Sequence, residues 1–273
     1  MIRRLAIGPG GLPPGHVQER IGRTDVVALA AAMQSLRAIL RSSTLHDYAA
    51  HHPEAEPLAG RGIAYAVPLG RDGPRVVVRH SRHGGALAVV TGDLFLFPRA
   101  PRELDITIRL AALGVPTPEI VAYVLYPAGV FRRSDVATRE VERARDLAAA
   151  LMDRPEPGPR KMLIDAAAKL VAQLSRAGVR HPDLNLKNIL LAPGPTSRLK
   201  AWVLDVDRVV FGRPGDARIT EANLVRLERS ARKWRDEHGA PITEDDLVTL
   251  RGAVGRELRG VEVAVPESAR NEP

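Results

Sequence analysis

The hydrophobic pattern changes period near residue 138, which limits the chain to folds with one sheet-rich and one helix-rich part. From residue 57 onward, apolar residues come in short runs punctuated by glycine, at 63–69, 75–79, 86–91 and 94–97, and then at 120–126 and 130–136. Gly70-Arg71-Asp72-Gly73 turns the first two into a hairpin. A helix over 102–113, stopped by Gly114 and the breaker Pro116-Thr117-Pro118, interrupts the series. Beyond residue 138 the spacing becomes helical, predicting helices over 141–152 and 161–177. Ala166, Ala167, Leu170, Val171 and Leu174 line one face of the second, and Gly178 sits at its C′ position. Short apolar runs at 189–192 and 201–204 precede helices from about 221 and over 243–259. This is an α+β chain of two lobes: a β-rich N-lobe at 57–138, a mainly helical C-lobe at 139–260 and a flexible tail at 261–273.

Ahead of the lobes, residues 1–23 are rich in Gly, Pro and Arg and read as a loose leader. Thr24-Asp25 offers an N-cap to an extra N-terminal helix, on which Val26, Val27, Leu29, Ala30, Met33, Leu36, Ile39 and Leu40 form one stripe. Residues 1–56 are therefore expected to be leader plus helix, packed on the main domain.

With no cysteine, disulfide frameworks, thiol catalysis and Cys-ligated metal sites are excluded. His51-His52 and His80 with His83 lack a third ligand at zinc spacing. No Gly-x-Ser-x-Gly elbow and no Walker lysine motif is present. An apolar share of 45% rules out global disorder. Of the 40 basic residues only five are lysines, and none precedes Lys161. An arginine-rich net charge of +8 suits anionic partners such as phosphates, nucleic acid or an acidic membrane, or else reflects genome composition. The longest apolar run, 26–33, is far short of the roughly 20 residues of a membrane helix. The basic start lacks the apolar run of a secretory signal, so a cytoplasmic or peripherally attached protein is expected.

Chemistry concentrates in His181-Pro182-Asp183-Leu184-Asn185-Leu186-Lys187-Asn188, directly after a helix. An Asp and an Asn five residues apart in one loop can aim a hydroxyl-orienting carboxylate and a metal-binding amide at the same phosphate. Seventeen residues after Asn188, an apolar strand delivers Asp205 in Leu204-Asp205-Val206-Asp207, where a carboxylate calls for a cation or donors. Without further context, Asp183 and Asn188 also fit a helix-to-strand turn held by Asx hydrogen bonds.

The pattern H-x-D-L-x-x-x-N followed by an apolar-Asp strand end resembles the catalytic loop and metal motif of the protein-kinase-like superfamily. More narrowly, Asn185, the Leu-Asp-Val-Asp-Arg run, Val78-Arg79-His80 followed by Arg82-His83-Gly84-Gly85, and the segment from Asn223 to Ser230 resemble the Kdo (3-deoxy-D-manno-octulosonic acid) and lipopolysaccharide kinases. The resemblance covers about residues 57–235 and implies a two-lobed protein-kinase-like fold with ATP between the lobes.

By that resemblance, Asp183 is the catalytic aspartate, Asn188 a Mg²⁺ ligand and Asp205 the metal-bridging aspartate, while His181 shapes the loop. Asn185, grouped by the resemblance with Asp183 and His181 as catalytic, stands where protein kinases have lysine, which favours a small-molecule or glycan acceptor. Asp207 replaces the usual glycine and either supports a second cation or fixes the loop. Gly60 and Gly62 resemble the turn over the nucleotide phosphates, and also fit an ordinary hairpin. The phosphate-holding lysine of protein kinases has no counterpart here, leaving Arg79 as its replacement. Its acidic partner is expected on the helix at 102–113, with Glu103 ahead of Asp105. Glu103 also fits a solvated first-turn residue. Arg82, His83, Arg226, Arg229 and Arg232 are read either as contacts to an acidic glycolipid or as surface and interlobe salt bridges. The function implied is ATP- and Mg²⁺-dependent phosphorylation of a sugar hydroxyl, with possible contact to an anionic membrane and no nucleic-acid role. A nucleotide-binding pseudokinase is the competing reading.

Overall fold

The computed structural model describes residues 11–58, 63–80, 98–129, 131–194 and 198–260. The chain divides into two compact units, 1–109 with 118–141 and 110–117 with 142–273.

The first unit is built on seven strands: β1 (His16–Ile21), β2 (Thr24–Leu29), β3 (Glu56–Leu58), β4 (Ala64–Pro68), β5 (Arg75–His80), β6 (Ile120–Ala128) and β7 (Phe131–Arg139). They form one antiparallel sheet in the order β1-β2-β6-β7-β5-β4-β3. Two short helices, α1 (Met33–Ile39) and α2 (Leu45–His51), cover one face, where Met33, Leu36 and Leu45 pack with Val26, Ala28, Val67, Val76 and Val78. On the opposite face, Ala100 and Leu104 of helix α3 (Ala100–Ala112) pack with Val27, Tyr123, Leu125 and Val136.

The helix expected to begin at Val26 is corrected by this arrangement, as is the loose leader up to residue 23: residues 16–29 are a hairpin of the sheet. Strand β2 lies between β1 and β6 with both faces covered, so Val26 and Ala28 enter one core and Val27 the other. A strand buried on both faces shows no polar alternation, and its unbroken apolar run fits a helical stripe equally well. Helical structure starts only at residue 30, after that strand.

A buried polar network fixes α2 to the sheet. Asp135 on β7, fully buried, accepts from the backbone N–H of His46 at 3.0 Å and lies 2.5 Å from His80 Nδ1. The Tyr126 hydroxyl accepts from the Leu45 N–H at 2.7 Å, and burial pushes its pKa upward. A carboxylate this far from water needs such partners, and they hold the end of β5 where Arg79 sits.

In the second unit, a three-stranded antiparallel sheet joins β8 (Arg145–Asp146), β10 (Ile189–Pro193) and β11 (Leu199–Val203), while β9 (Val179–Arg180) pairs with β12 (Val210–Phe211). Around them lie α4 (Leu147–Met152), α5 (Pro157–Arg176), α6 (Ala217–His238) and α7 (Glu244–Gly260). The helix expected over 141–152 begins only at Leu147. Asp146 is extended and its carboxylate caps the Ala149 N–H at 2.8 Å, which starts a new helix there, while β8 pairs with β10. α5 buries ten side chains and ends at Gly178, whose φ is +66°. A Cβ at that glycine would lie 2.5 Å from the Gly212 carbonyl oxygen, so both the left-handed backbone and the close approach of the β9–β12 pair require glycine. Arg160 on α5 joins α7 through Asp246 at 2.5 Å.

Candidate active site

In the first unit, Arg79 near the end of β5 donates through Nη2 to Glu103 Oε1 in the first turn of α3. Glu103 is 7% exposed, whereas the Arg79 side chain remains 34% exposed. A buried carboxylate needs a cation, and a guanidinium has donors for a second anion while it holds the first. Asp105, two residues along, is half-buried. Gly60, Gly62, Arg82 and His83 lie outside the described residues.

In the second unit, the loop after β9 is organised by His181. Its ring is buried; Nε2 donates to the Leu204 carbonyl at 3.0 Å, and Nδ1 accepts from the Asp183 N–H at 3.2 Å. That pattern requires the neutral ring, and burial lowers its pKa accordingly, against the smaller opposing effects of the Leu204 hydrogen bond and the Asp205 and Asp183 charges. Asn223 on α6, with no exposure, braces the loop from below: Oδ1 accepts from the His181 N–H at 3.0 Å and Nδ2 donates to the Val179 carbonyl at 2.8 Å. The Ser230 hydroxyl accepts from the Leu186 N–H at 3.2 Å.

Asn185 was placed among the catalytic groups by resemblance, but its polar atoms are bonded within the loop. Oδ1 accepts from the N–H groups of Lys187 (2.9 Å) and Asn188 (3.1 Å), and Nδ2 donates to the Asp183 carbonyl at 3.0 Å. It caps the one-turn 3₁₀ helix at Leu186–Asn188. Asn188 Nδ2 donates to the same carbonyl at 2.9 Å, leaving Oδ1 as the end of its amide with which to meet a cation.

The Asn188 carbonyl accepts from the Leu204 N–H at 2.9 Å, which brings the end of β11 to the loop and Asp205 with it. Asp205 is exposed and left-handed, at φ +58° and ψ +50°, and it precedes the 3₁₀ turn Val206–Arg208 without capping it. This conformation is sparsely populated for a residue other than glycine, and the Asp205 carboxylate does not cap the turn that follows. Asp207 lies half-buried inside that turn.

Asn188 and Asp205 offer one amide and one carboxylate oxygen, a hard donor set that fits Mg²⁺, which takes few protein ligands and completes its shell with water and phosphate. Among the described residues no group of three His, Cys, Asp or Glu gathers into a cage, so no all-protein site competes with that arrangement.

Asn223 and Arg226 have partners that their positions in the sequence do not reveal. Asn223 was visible only within a motif, and nothing in one sequence distinguishes a buried loop-bracing amide from a surface one. Arg226 was read as a lipid contact or as a surface or interlobe pair, whereas its Nη2 donates to Asp183 Oδ1 at 2.6 Å, within the same unit. Its Nε is buried without a hydrogen-bond partner, a placement that costs roughly 1–3 kcal/mol. Arg232 pairs with Glu244 at 2.9 Å, and Arg229 is exposed.

A family model described as the lipopolysaccharide kinase (Kdo/WaaP) family matches residues 56–251, which include every element just described. The chain belongs to this family. A 3-deoxy-D-manno-octulosonic acid kinase of Xanthomonas oryzae pv. oryzae is 33% identical over 203 residues, covering 71% of this chain and 76% of that protein. A Vibrio parahaemolyticus protein of the same name is 29% identical over 199 residues, covering 68% and 79%. A solved chain titled "WaaP in complex with acyl carrier protein" superposes with TM-score 0.48 at 23% identity, covering 77% of this chain and 83% of that one. As a member of the lipopolysaccharide kinase family, the chain is an ATP-using kinase that phosphorylates a sugar hydroxyl, on an α+β fold with a sheet-rich N-terminal and a helical C-terminal part.

Proposed function

We propose that the acceptor is Kdo in the lipopolysaccharide core, and that Asp183 orients its hydroxyl toward the γ-phosphate of ATP. The observation that carries this reading is the bonding of the 181–188 loop. Asp183 and Asn188 are held in one turn by Asn185, Asn223 and His181, and the His181 ring bond reaches the residue before Asp205. Three groups needed for phosphoryl transfer are thereby anchored before any substrate arrives, and positioning with charge neutralisation supplies most of the catalysis in this chemistry.

In this reading Asn188 and Asp205 hold Mg²⁺. Bound there, the ion would neutralise charge on the phosphate oxygens. Arg79, oriented by Glu103, clamps phosphate as a cation, the task a lysine performs in protein kinases. Asp183 accepts a hydrogen bond from the acceptor hydroxyl and aligns it for in-line attack. His181 and Asn185 act on the loop, and Asp207 on its own turn. The proposal also places the enzyme in the cytoplasm, where a charge of +8 rich in arginine favours peripheral contact with an anionic membrane. Among the described residues no helix is long and apolar enough to cross one.

The test is transfer of labelled γ-phosphate to a Kdo-containing acceptor by the wild type and by Asp183→Ala. Transfer that is Mg²⁺-dependent and lost in the variant is expected. Full transfer by Asp183→Ala overturns the assignment, and Mg-ATP binding without turnover across Kdo, heptose and aminoglycoside acceptors would make the chain a pseudokinase.

A further inference from the structure

We propose that Arg226 recognises the carboxylate of an acidic acceptor sugar and makes the site specific for it, an inference that rests on the acceptor reading above. Arg226 lies on α6 one turn beyond Asn223, the residue that braces the loop, so the helix that supports Asp183 also delivers a cation to it. Its Nη2 binds only one oxygen of that carboxylate, Oδ1, at 2.6 Å. Among the described residues this is the single hydrogen bond of a guanidinium that carries five N–H donors. The side chain is 36% exposed although Nε is buried, so the exposure lies on other parts of the side chain, and the donors still uncommitted are those of the Nη end beside Asp183.

The acids near Arg226 on α6 are already neutralised. Glu221 lies 2.8 Å from Arg251 Nη1, and Glu228 is bound by the Nε and Nη2 groups of the same arginine. Arg226 therefore has one carboxylate partner and capacity for a second. A sugar acid brought to Asp183 sets two negative charges side by side, which opposes binding unless a cation lies between them. A guanidinium can hold both at once through its separate N–H groups, and an ammonium cannot reproduce that fork.

The experiment compares kcat and KM of the wild type, Arg226→Gln and Arg226→Lys on two acceptors, a Kdo glycoside and its C1 carboxamide. Any loss that arises from disturbing Asp183 falls on both acceptors, so the acid-to-amide ratio isolates the carboxylate contact. The wild type is expected to favour the acid by about 10- to 100-fold in kcat/KM, mainly through KM. Arg226→Gln should bring that ratio close to one, and Arg226→Lys should retain part of it. Equal losses on acid and amide would reduce Arg226 to a positioning residue for Asp183 and sink the proposal, as would a wild type indifferent to the carboxylate. Turnover of a neutral heptose in place of either glycoside would instead remove the acceptor reading, and this proposal with it. Thermal melting of each variant separates these outcomes from misfolding.

Discussion

His181 Nε2 donates to the carbonyl of Leu204, joining the loop that carries Asp183 and Asn188 to the strand end that carries Asp205. The bond needs the ring neutral, with its proton on Nε2, and burial shifts the ring pKa downward in support. A histidine whose folded pKa lies below its unfolded value of about 6.5 stabilises the protein fully above that pH. The contribution is lost as pH falls through the folded pKa, because the unfolded chain then binds the additional proton. Melting temperature should therefore decline below about pH 6.5, and His181→Gln should flatten the part of the decline that this residue causes. Identical pH profiles for the two proteins would contradict the buried neutral ring.

Replacement of Asn223 by alanine removes both partners of two buried backbone groups, the His181 N–H and the Val179 carbonyl. We expect a loss of roughly 2–4 kcal/mol in urea unfolding, well above a surface substitution. Phosphotransfer should fall even under conditions where the variant stays folded, since the loop loses its brace.

Asp205 separates stability from activity. Asp205→Gly relieves the left-handed backbone and should match or exceed the wild type in thermal melting, while losing nearly all transfer. Asp205→Asn should melt like the wild type and require much more Mg²⁺ to reach its residual rate. A Mg²⁺ titration of activity checks both, and unchanged Mg²⁺ dependence in Asp205→Asn would remove this residue from the metal site.

Glu103 and Arg79 should be unequal under mutation. Arg79→Met leaves the buried Glu103 carboxylate without this cation and should cost about 1–3 kcal/mol in addition to weakening ATP use. Glu103→Gln keeps the guanidinium but frees its orientation, so the expected effect is about 10-fold in kcat/KM for ATP with little change in melting. Arg79→Lys tests the departure from protein kinases directly. If it equals the wild type in ATP kinetics, the bidentate fork has no role.

The sequence by itself determined the order of local chemistry. Breakers, helical stripes and the spacing of Asp183, Asn188 and Asp205 are properties of neighbouring residues, and they marked α3, α5, α6, α7, the β6–β7 pair and the reactive loop. What needed the tertiary structure was whatever depends on the far side of an element. β2 reads as helix because both of its faces are covered, by α1 and α2 on one side and by α3 on the other, and a sequence does not say how many faces are buried. Asn185 and Asp183 look like equal polar residues of one loop, yet one bonds backbone and the other meets a guanidinium 43 residues away. Arg226 meets Asp183 only because Asn223, one helical turn earlier, anchors α6 under the loop. A side chain's partner is set by which elements pack together, and burial then makes each of those polar contacts obligatory.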